Sequence, residues 1–262
     1  MDTNTTPAIE VTNLRKTFGD VAAVDGLDLE VEVGSFFGFL GPNGAGKSTT
    51  IKILTGMILP SAGSAAILGH DVVDDAVAAK QITGAVSEDG ALFDRLTGPE
   101  YLEFVGRMFG MERETIRERS NELLELMDLA GDRAKLIVDY SHGMQKKLGF
   151  AAALIHNPKV LFLDEPFEGI DAVTGRLIKT MLDELRRAGV TIFLTSHILE
   201  IVERLCSEIA IIDHGRVVAQ GSLDDLRAQV GSSGSLEELF LDLVGHGPVS
   251  GRQLSWLGSR DS

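Results

Sequence analysis

The chain has one cysteine, one tryptophan and two tyrosines in 262 residues. A single thiol, Cys206, cannot close an internal disulfide, so nothing covalent staples the fold, and this usage fits a reducing compartment. No apolar run exceeds about six residues, "FAAALI" being the longest. A membrane-crossing helix needs about 20, so no span is expected. The opening "MDTNTTPAIE" lacks the basic segment and apolar run of a secretory leader, and none is read there. Positive charge is also scarce: 24 Lys and Arg stand against 39 Asp and Glu, for a net charge of −15. Basic residues cluster no further than pairs. Proteins that track a phosphate backbone concentrate positive charge, so no nucleic-acid partner is expected. Apolar residues, by contrast, make up 44% of the chain, enough for one large domain or one domain with an inserted subdomain.

Short apolar runs bounded by turn residues recur: "SFFGFLG" (35–41), "VLFLDE" (160–165), "VTIFLTS" (190–196) and "EIAIID" (208–213). Continuous runs of this length suit strands covered on both faces of a mostly parallel sheet. Helical periodicities lie between them, which predicts an α/β fold. In "TIKILTGMILP", Ile51, Leu54 and Ile58 share a helix face and Pro60 is the expected stop. Thr97 and Glu100 form a T-x-x-E capping box with Pro99 in the first turn. A further helix is expected over 113–128. The stretch from about 88 to 157 is therefore mainly helical, as an inserted subdomain would be. After "GSSGS" (231–235), Ser235 and Glu238 open another helix whose Leu236, Leu239, Phe240 and Leu243 share a face.

"GPNGAGKST" (41–49) matches G-x-x-x-x-G-K-[ST] between a strand and a helix. Gly41, Gly44 and Gly46, with Pro42, Asn43 and Ala45 between them, allow a tight loop whose N–H groups face inward. A helix opening near Lys47 turns its positive end to phosphates. Lys47 reaches the β- and γ-phosphates, and Ser48, followed by Thr49, offers a hydroxyl to Mg²⁺. Such a match arises by chance roughly once in a hundred chains of this length at average glycine usage. Downstream, "VLFLDEP" ends a strand in Asp164 and Glu165. Two adjacent carboxylates at a buried strand end are costly without a cation. Asp164 suits Mg²⁺, and Glu165 suits a general base that deprotonates water. Asp164 lies 117 residues after Lys47. That path is too long for a small GTPase, whose N-K-x-D base reader is also missing. A small-molecule kinase would not need the motifs that follow.

Those motifs are "YSHGM" (140–144), "GID" (169–171) and "TSH" (195–197). With them the chain resembles the nucleotide-binding subunit of ATP-binding cassette (ABC) transporters through about residues 8–225. By itself, Ser141 reads first as a plain helix cap and His197 as a structural histidine. The resemblance turns both toward phosphate. It implies a P-loop NTPase core with a mostly parallel sheet, an antiparallel β subdomain on the N-terminal side and an inserted helical subdomain at about 88–157. It also implies head-to-tail dimers, homo- or heteromeric, in which Ser141 and Gly143 of one chain face the γ-phosphate of ATP on the other. His197 then contacts the γ-phosphate, Asp171 contacts the partner chain, Phe18 stacks on adenine, and Glu88 takes the Q-loop position near Mg²⁺. His142, Met144 and Glu88 depart from the residues usual at their positions. A core aromatic remains the alternative for Phe18.

The chain around "EDGALFDRLTGPEYLEF" and "YSHGMQKKLGFAAALIHNPKVLFLDEP" is most similar to the ATPases of ABC-2 type exporters. That implies a separately encoded permease and a peripheral place on the cytoplasmic face of the cell membrane. Phe93, Tyr101, Phe104 and Phe109 are candidates for a permease groove. Residues 226–246 read as a short helical extension, and 1–7 and 247–262 as flexible ends. A soluble or sensory ABC ATPase is the alternative function.

Overall fold

The central sheet is built from strands whose side chains meet a different core on each face. In the computed structural model, which describes residues 6–87, 92–230 and 234–244, β3 (Phe36–Leu40), β6 (Thr83–Val86), β7 (Val160–Asp164), β8 (Thr191–Thr195), β9 (Glu208–Asp213) and β10 (Arg216–Gly221) form one sheet in the order β10-β9-β3-β8-β7-β6. All neighbours are parallel except β9 and β10. Every residue of β3, β7 and β8 is buried, as parallel strands covered on both faces require. Successive side chains point to opposite faces, and this divides the interior in two. Phe36, Leu40, Leu161, Leu163, Ile192 and Leu194 enter one core cluster. Phe37, Phe39, Val160, Phe162 and Phe193 enter the other. Phe193 is the hub of the second, with ring centroids 5.4 Å from Phe37, 5.3 Å from Phe39 and 5.4 Å from Phe162.

The second cluster is closed by an antiparallel sheet, β2-β1-β4-β5, made from β1 (Ile9–Phe18), β2 (Val21–Val31), β4 (Ala62–Ile67) and β5 (His70–Asp71). Helix α1 (Lys47–Leu54) and the short α2 (Ala76–Gln81) follow β3 and β5. The first cluster is closed by helices. Between β6 and β7 come α3 (Gly98–Met108), α4 (Arg113–Leu126) and α5 (His142–Leu154). Both bonds of the Thr97–Glu100 capping box are present. Phe109, beyond the end of α3, stacks flat on His156 with centroids 3.6 Å apart. Then α6 (Ala172–Arg187) joins β7 to β8, and α7 (Leu199–Leu205) joins β8 to β9. Cys206 is half-buried, and burial raises its thiol pKa. After α8 (Leu223–Val230), α9 (Leu236–Val244) buries Leu236 and Leu239 completely, with Phe240 and Leu243 packed beside them. Its apolar face thus covers this chain's own core.

One helix ends earlier than its apolar spacing suggests. α1 stops at Leu54, and Pro60 is not what stops it. Gly56 takes φ +65° just beyond the end, the left-handed position that terminates helices. Ile58 therefore lies past the helix and packs against the second cluster from a turn. No described helix is long and apolar enough to cross a membrane.

The C-terminal ends of β3, β8 and β7 lie side by side in the sheet. They deliver the loop 41–46, residues 195–197 and residues 164–165 to one edge, where parallel α/β sheets bind ligands.

Candidate nucleotide site

The phosphate loop is held by close backbone approaches. Gly46 has φ +108°, and a Cβ there would run into the Ala23 carbonyl oxygen of β2. Gly41 does not need an unusual φ; a Cβ on it would collide with the Ile212 carbonyl oxygen of β9. Helix α1 begins at Lys47, so its unpaired first-turn N–H groups and positive end open onto the loop. Lys47 is buried, and its Nζ donates to the carbonyls of Gly41 at 2.7 Å and Pro42 at 3.2 Å. The ammonium therefore lies across the mouth of its own loop.

Facing the loop is a buried carboxylate array. Thr195 Oγ1 donates to Asp164 Oδ1 at 2.6 Å, and Ser48 Oγ approaches the same oxygen at 3.4 Å. Thr195 Oγ1 also accepts from the Glu165 N–H at 3.2 Å. One hydroxyl thus fixes both acids. Glu165 has φ +48° and is 8% exposed. Its Oε2 accepts from the His197 N–H at 3.1 Å and lies 2.9 Å from His197 Nδ1. An ionised Glu165 is acceptor-only, so this contact places the proton on Nδ1.

Loop and acids enclose a cavity of about 610 Å³. Phe18, Asn43, Gly44, Gly46, Lys47, Ser48, Thr49, Glu165 and His197 all line it, together with Ala23 and Glu168. Phe18 is 53% exposed and so is not a core aromatic; Lys16 Nζ lies 5.1 Å from its ring centroid. Pro42 and Ala45 belong to the loop without lining the cavity. Among the described residues no three His, Cys, Asp or Glu side chains form a metal cluster. One carboxylate and one hydroxyl, Asp164 and Ser48, do fit Mg²⁺, which takes hard oxygens and fills its other positions with phosphate and water.

Three expected site residues lie elsewhere. Ser141 is the N-cap of α5, accepting from the Met144 N–H at 3.3 Å, and it is exposed. Gly143 lies in the first turn of the same helix. Asp171 caps α6, with Oδ1 accepting from the N–H groups of Val173 at 2.9 Å and Thr174 at 3.0 Å, and Oδ2 from Thr174 Oγ1 at 2.7 Å. Hydrogen bonds from the Thr174 backbone and hydroxyl, then from Val173, hold its carboxyl below the usual range. None of the three lines the cavity that holds Lys47 and Glu165. Glu88 lies outside the described residues.

Two residues take parts that their sequence motifs do not assign. Thr195 pairs in register with Asp164 across β7 and β8, and its signal was a polar side chain ending an apolar run. Lys146 is a buried cation whose Nζ donates to the Glu165 carbonyl at 3.2 Å. Its signal was a charge on the face of α5 that carries Phe150 and Ala153. Replacing Thr195 by Val keeps the shape and removes the shared hydroxyl. T195V is expected to lower kcat about tenfold or more through misplaced carboxylates. It should also lose about 1–3 kcal/mol of stability from unpaired buried groups. Steady-state ATPase assays and a urea titration check both.

A phosphate loop opening a helix, a buried acidic strand end beside it, an N-terminal antiparallel sheet and three helices inserted between β6 and β7 define an ATP-binding cassette ATPase. The profile of the family described as ABC transporter matches residues 24–168. The chain belongs to that family and is an ATPase of it, working on ATP with Mg²⁺. It is 39% identical over 233 residues to the daunorubicin/doxorubicin resistance ATP-binding protein DrrA of Streptomyces peucetius, covering 89% of this chain and 71% of that one. Against the linearmycin resistance ATP-binding protein LnrL of Bacillus subtilis it is 36% identical, covering 85% and 72%. Among solved structures, an ATP-binding subunit of an ABC transporter superposes with a TM-score of 0.85 at 30% identity, covering 90% of this chain and 99% of that one. A dimeric post-hydrolysis state of the cassette MJ0796, bound to ADP and Pi, superposes at 0.75 with 26% identity, covering 82% and 98%.

Proposed function

We propose that the chain is the ATP-hydrolysing subunit of an ABC-2 type exporter, paired head to tail with a second copy or a similar ATPase, and driving a separately encoded permease from the cytoplasmic face of the membrane. The cassette occupies 8–225, with 88–157 as its helical subdomain and 226–246 as a helical extension. One observation carries the paired reading. The Ser141-capped start of α5 is exposed and lies off the cavity that holds the phosphate loop. A serine-capped helix start is an anion site, and this one does not line the cavity that holds its own chain's phosphate loop. A two-fold pair gives each cavity the other chain's Ser141 and Gly143.

In this reading Phe18 stacks on adenine, and the loop N–H groups from Gly41 to Thr49 hold the phosphates. Lys47 leaves its two carbonyls for the β/γ-phosphate oxygens. Ser48 and Asp164 would hold Mg²⁺, which when bound neutralises charge on the phosphates; Glu88, outside the described residues, is the further candidate at the Q-loop position. Glu165 takes the proton of the attacking water. His197, held through Nδ1, faces the γ-phosphate, where Nε2 donates to a phosphate oxygen when it too carries a proton. Asp171 keeps the start of α6 rigid beside Gly143, at the face turned to the partner chain. Relatives named for daunorubicin and linearmycin resistance and for Nod factor export support the exporter reading.

The permease would dock where the helical insertion meets the core. Phe93 and Phe104 are 53% and 42% exposed there and pack edge to face with centroids 5.1 Å apart. Beside them a groove of about 530 Å³ is lined by Leu92, Tyr101 and Phe109. Tagged Glu165→Gln protein, purified from native membranes with ATP and Mg²⁺, should bring down a stoichiometric polytopic membrane protein. An ATP-dependent dimer without one would move the function to a soluble ATPase.

A further inference from the structure

Lys146 is a buried lysine of α5, 7% exposed, at the wall of the groove that Tyr101 and Phe109 also line. An ammonium in such a place is costly unless it is hydrogen-bonded. Its Nζ donates to the main-chain oxygen of Glu165, 3.2 Å away. That peptide is an unusual one. Glu165 is at φ +48°, a left-handed conformation costly for any residue with a Cβ, and Pro166 follows it, which restricts the backbone further. Such a conformation persists only where its surroundings over-determine it. On the amino side the Glu165 N–H is held by Thr195, through Oγ1 at 3.2 Å and the carbonyl at 3.3 Å. On the carboxyl side the Glu165 carbonyl accepts from Lys146 Nζ at 3.2 Å and from the Glu168 N–H at 3.2 Å, the first tying it to α5 and the second to its own turn. Pinned at both ends, the backbone aims the carboxylate at His197, 2.9 Å from Nδ1.

We propose that Lys146 is a positioning residue for ATP hydrolysis: its ammonium fixes the Glu165–Pro166 peptide and so the aim of the Glu165 carboxylate. This rests on Glu165 being the base. It also ties the base to α5, the helix whose capped start faces the partner's nucleotide in the paired reading. Two further contacts run along the same seam. A Cβ on Gly169 would meet His142 Nε2 at 3.0 Å, and a Cβ on Gly143 would meet Asp171 Oδ2 at 3.7 Å. Glu165, Gly169 and Asp171 therefore each lie beside the first two turns of α5.

Lys146→Met keeps the length and apolar stem and removes the donor. Lys146→Gln keeps a donor of similar reach without the charge. K146M is expected to lose at least about tenfold in kcat, as small misplacements of a reacting group do. Its KM for ATP should stay within about twofold of the wild type, because K146M leaves the phosphate loop intact. K146Q should recover most of the loss. Wild-type kcat in K146M, equal losses in K146M and K146Q, a parallel loss of ATP affinity, or unfolding of both variants would each overturn the inference. Glu165→Gln assayed alongside separates it from the reading beneath it. Inactive E165Q with fully active K146M removes only the role of Lys146. E165Q at the wild-type rate removes the base itself.

Discussion

Glu165→Gln is expected to bind ATP as the wild type does and to hydrolyse it about 10²–10⁴-fold more slowly, the usual contribution of a general base. The amide has nearly the shape of the carboxylate. Its oxygen can still accept from the His197 N–H, which the carboxylate does at 3.1 Å, so the loop at His197 stays in place. It cannot take a proton from water. The loss should therefore fall on kcat and leave KM for ATP nearly unchanged, which steady-state kinetics with magnesium ATP reads directly. Because the nucleotide is not consumed, the two-chain state held together by ATP should accumulate. A variant that turned over at the wild-type rate would remove Glu165 from the chemistry.

The second large effect concerns Ser141. Ser141→Arg removes a helix cap, worth about 1 kcal/mol, and places a long side chain where the γ-phosphate of a partner's ATP would lie. Alone it should be almost inactive while its own phosphate loop still binds nucleotide. Lys47→Ala should be inactive for the opposite reason, since the loop loses the ammonium that meets phosphate. Mixing the two separates a shared site from a self-contained one. In a mixed pair, one cavity combines both defects and the other has an intact Lys47 and an intact Ser141. Equal amounts, freely exchanging, should regain up to about a quarter of wild-type turnover if the two sites act independently. If each chain carried a complete site, mixing two dead variants would restore nothing.

Much of this was legible locally. The strands stand out because β3, β7 and β8 are apolar at nearly every position, a consequence of being covered on both faces. The phosphate loop and the Asp164–Glu165 pair carry their chemistry within a few residues, and the structure brings Lys47, Ser48, Glu165 and His197 around one cavity. What escaped depends on distant parts of the chain meeting. The motif marks Gly41 and Gly46 as glycine, but the reason is not local: Ile212 and Ala23 pass close by. Thr195 matters only because β8 lies in register beside β7. Lys146 finds its partner 19 residues away across a helix–loop seam. Asp171 is a different case. Its D-x-x-T spacing to Thr174 is a visible capping signal that the structure uses. At the end of α1 a glycine outweighed a later proline, because the helix meets the left-handed turn at Gly56 first.

The claim on which the rest depends is that one chain holds only half of each working site. The most direct test is the solution mass of Glu165→Gln protein by light scattering, with and without magnesium ATP, together with the nucleotide bound per chain. The account predicts 28.1 kDa without nucleotide and a doubled mass with it, carrying one ATP per chain. A chain that stays at its single mass while saturated with ATP would contradict it.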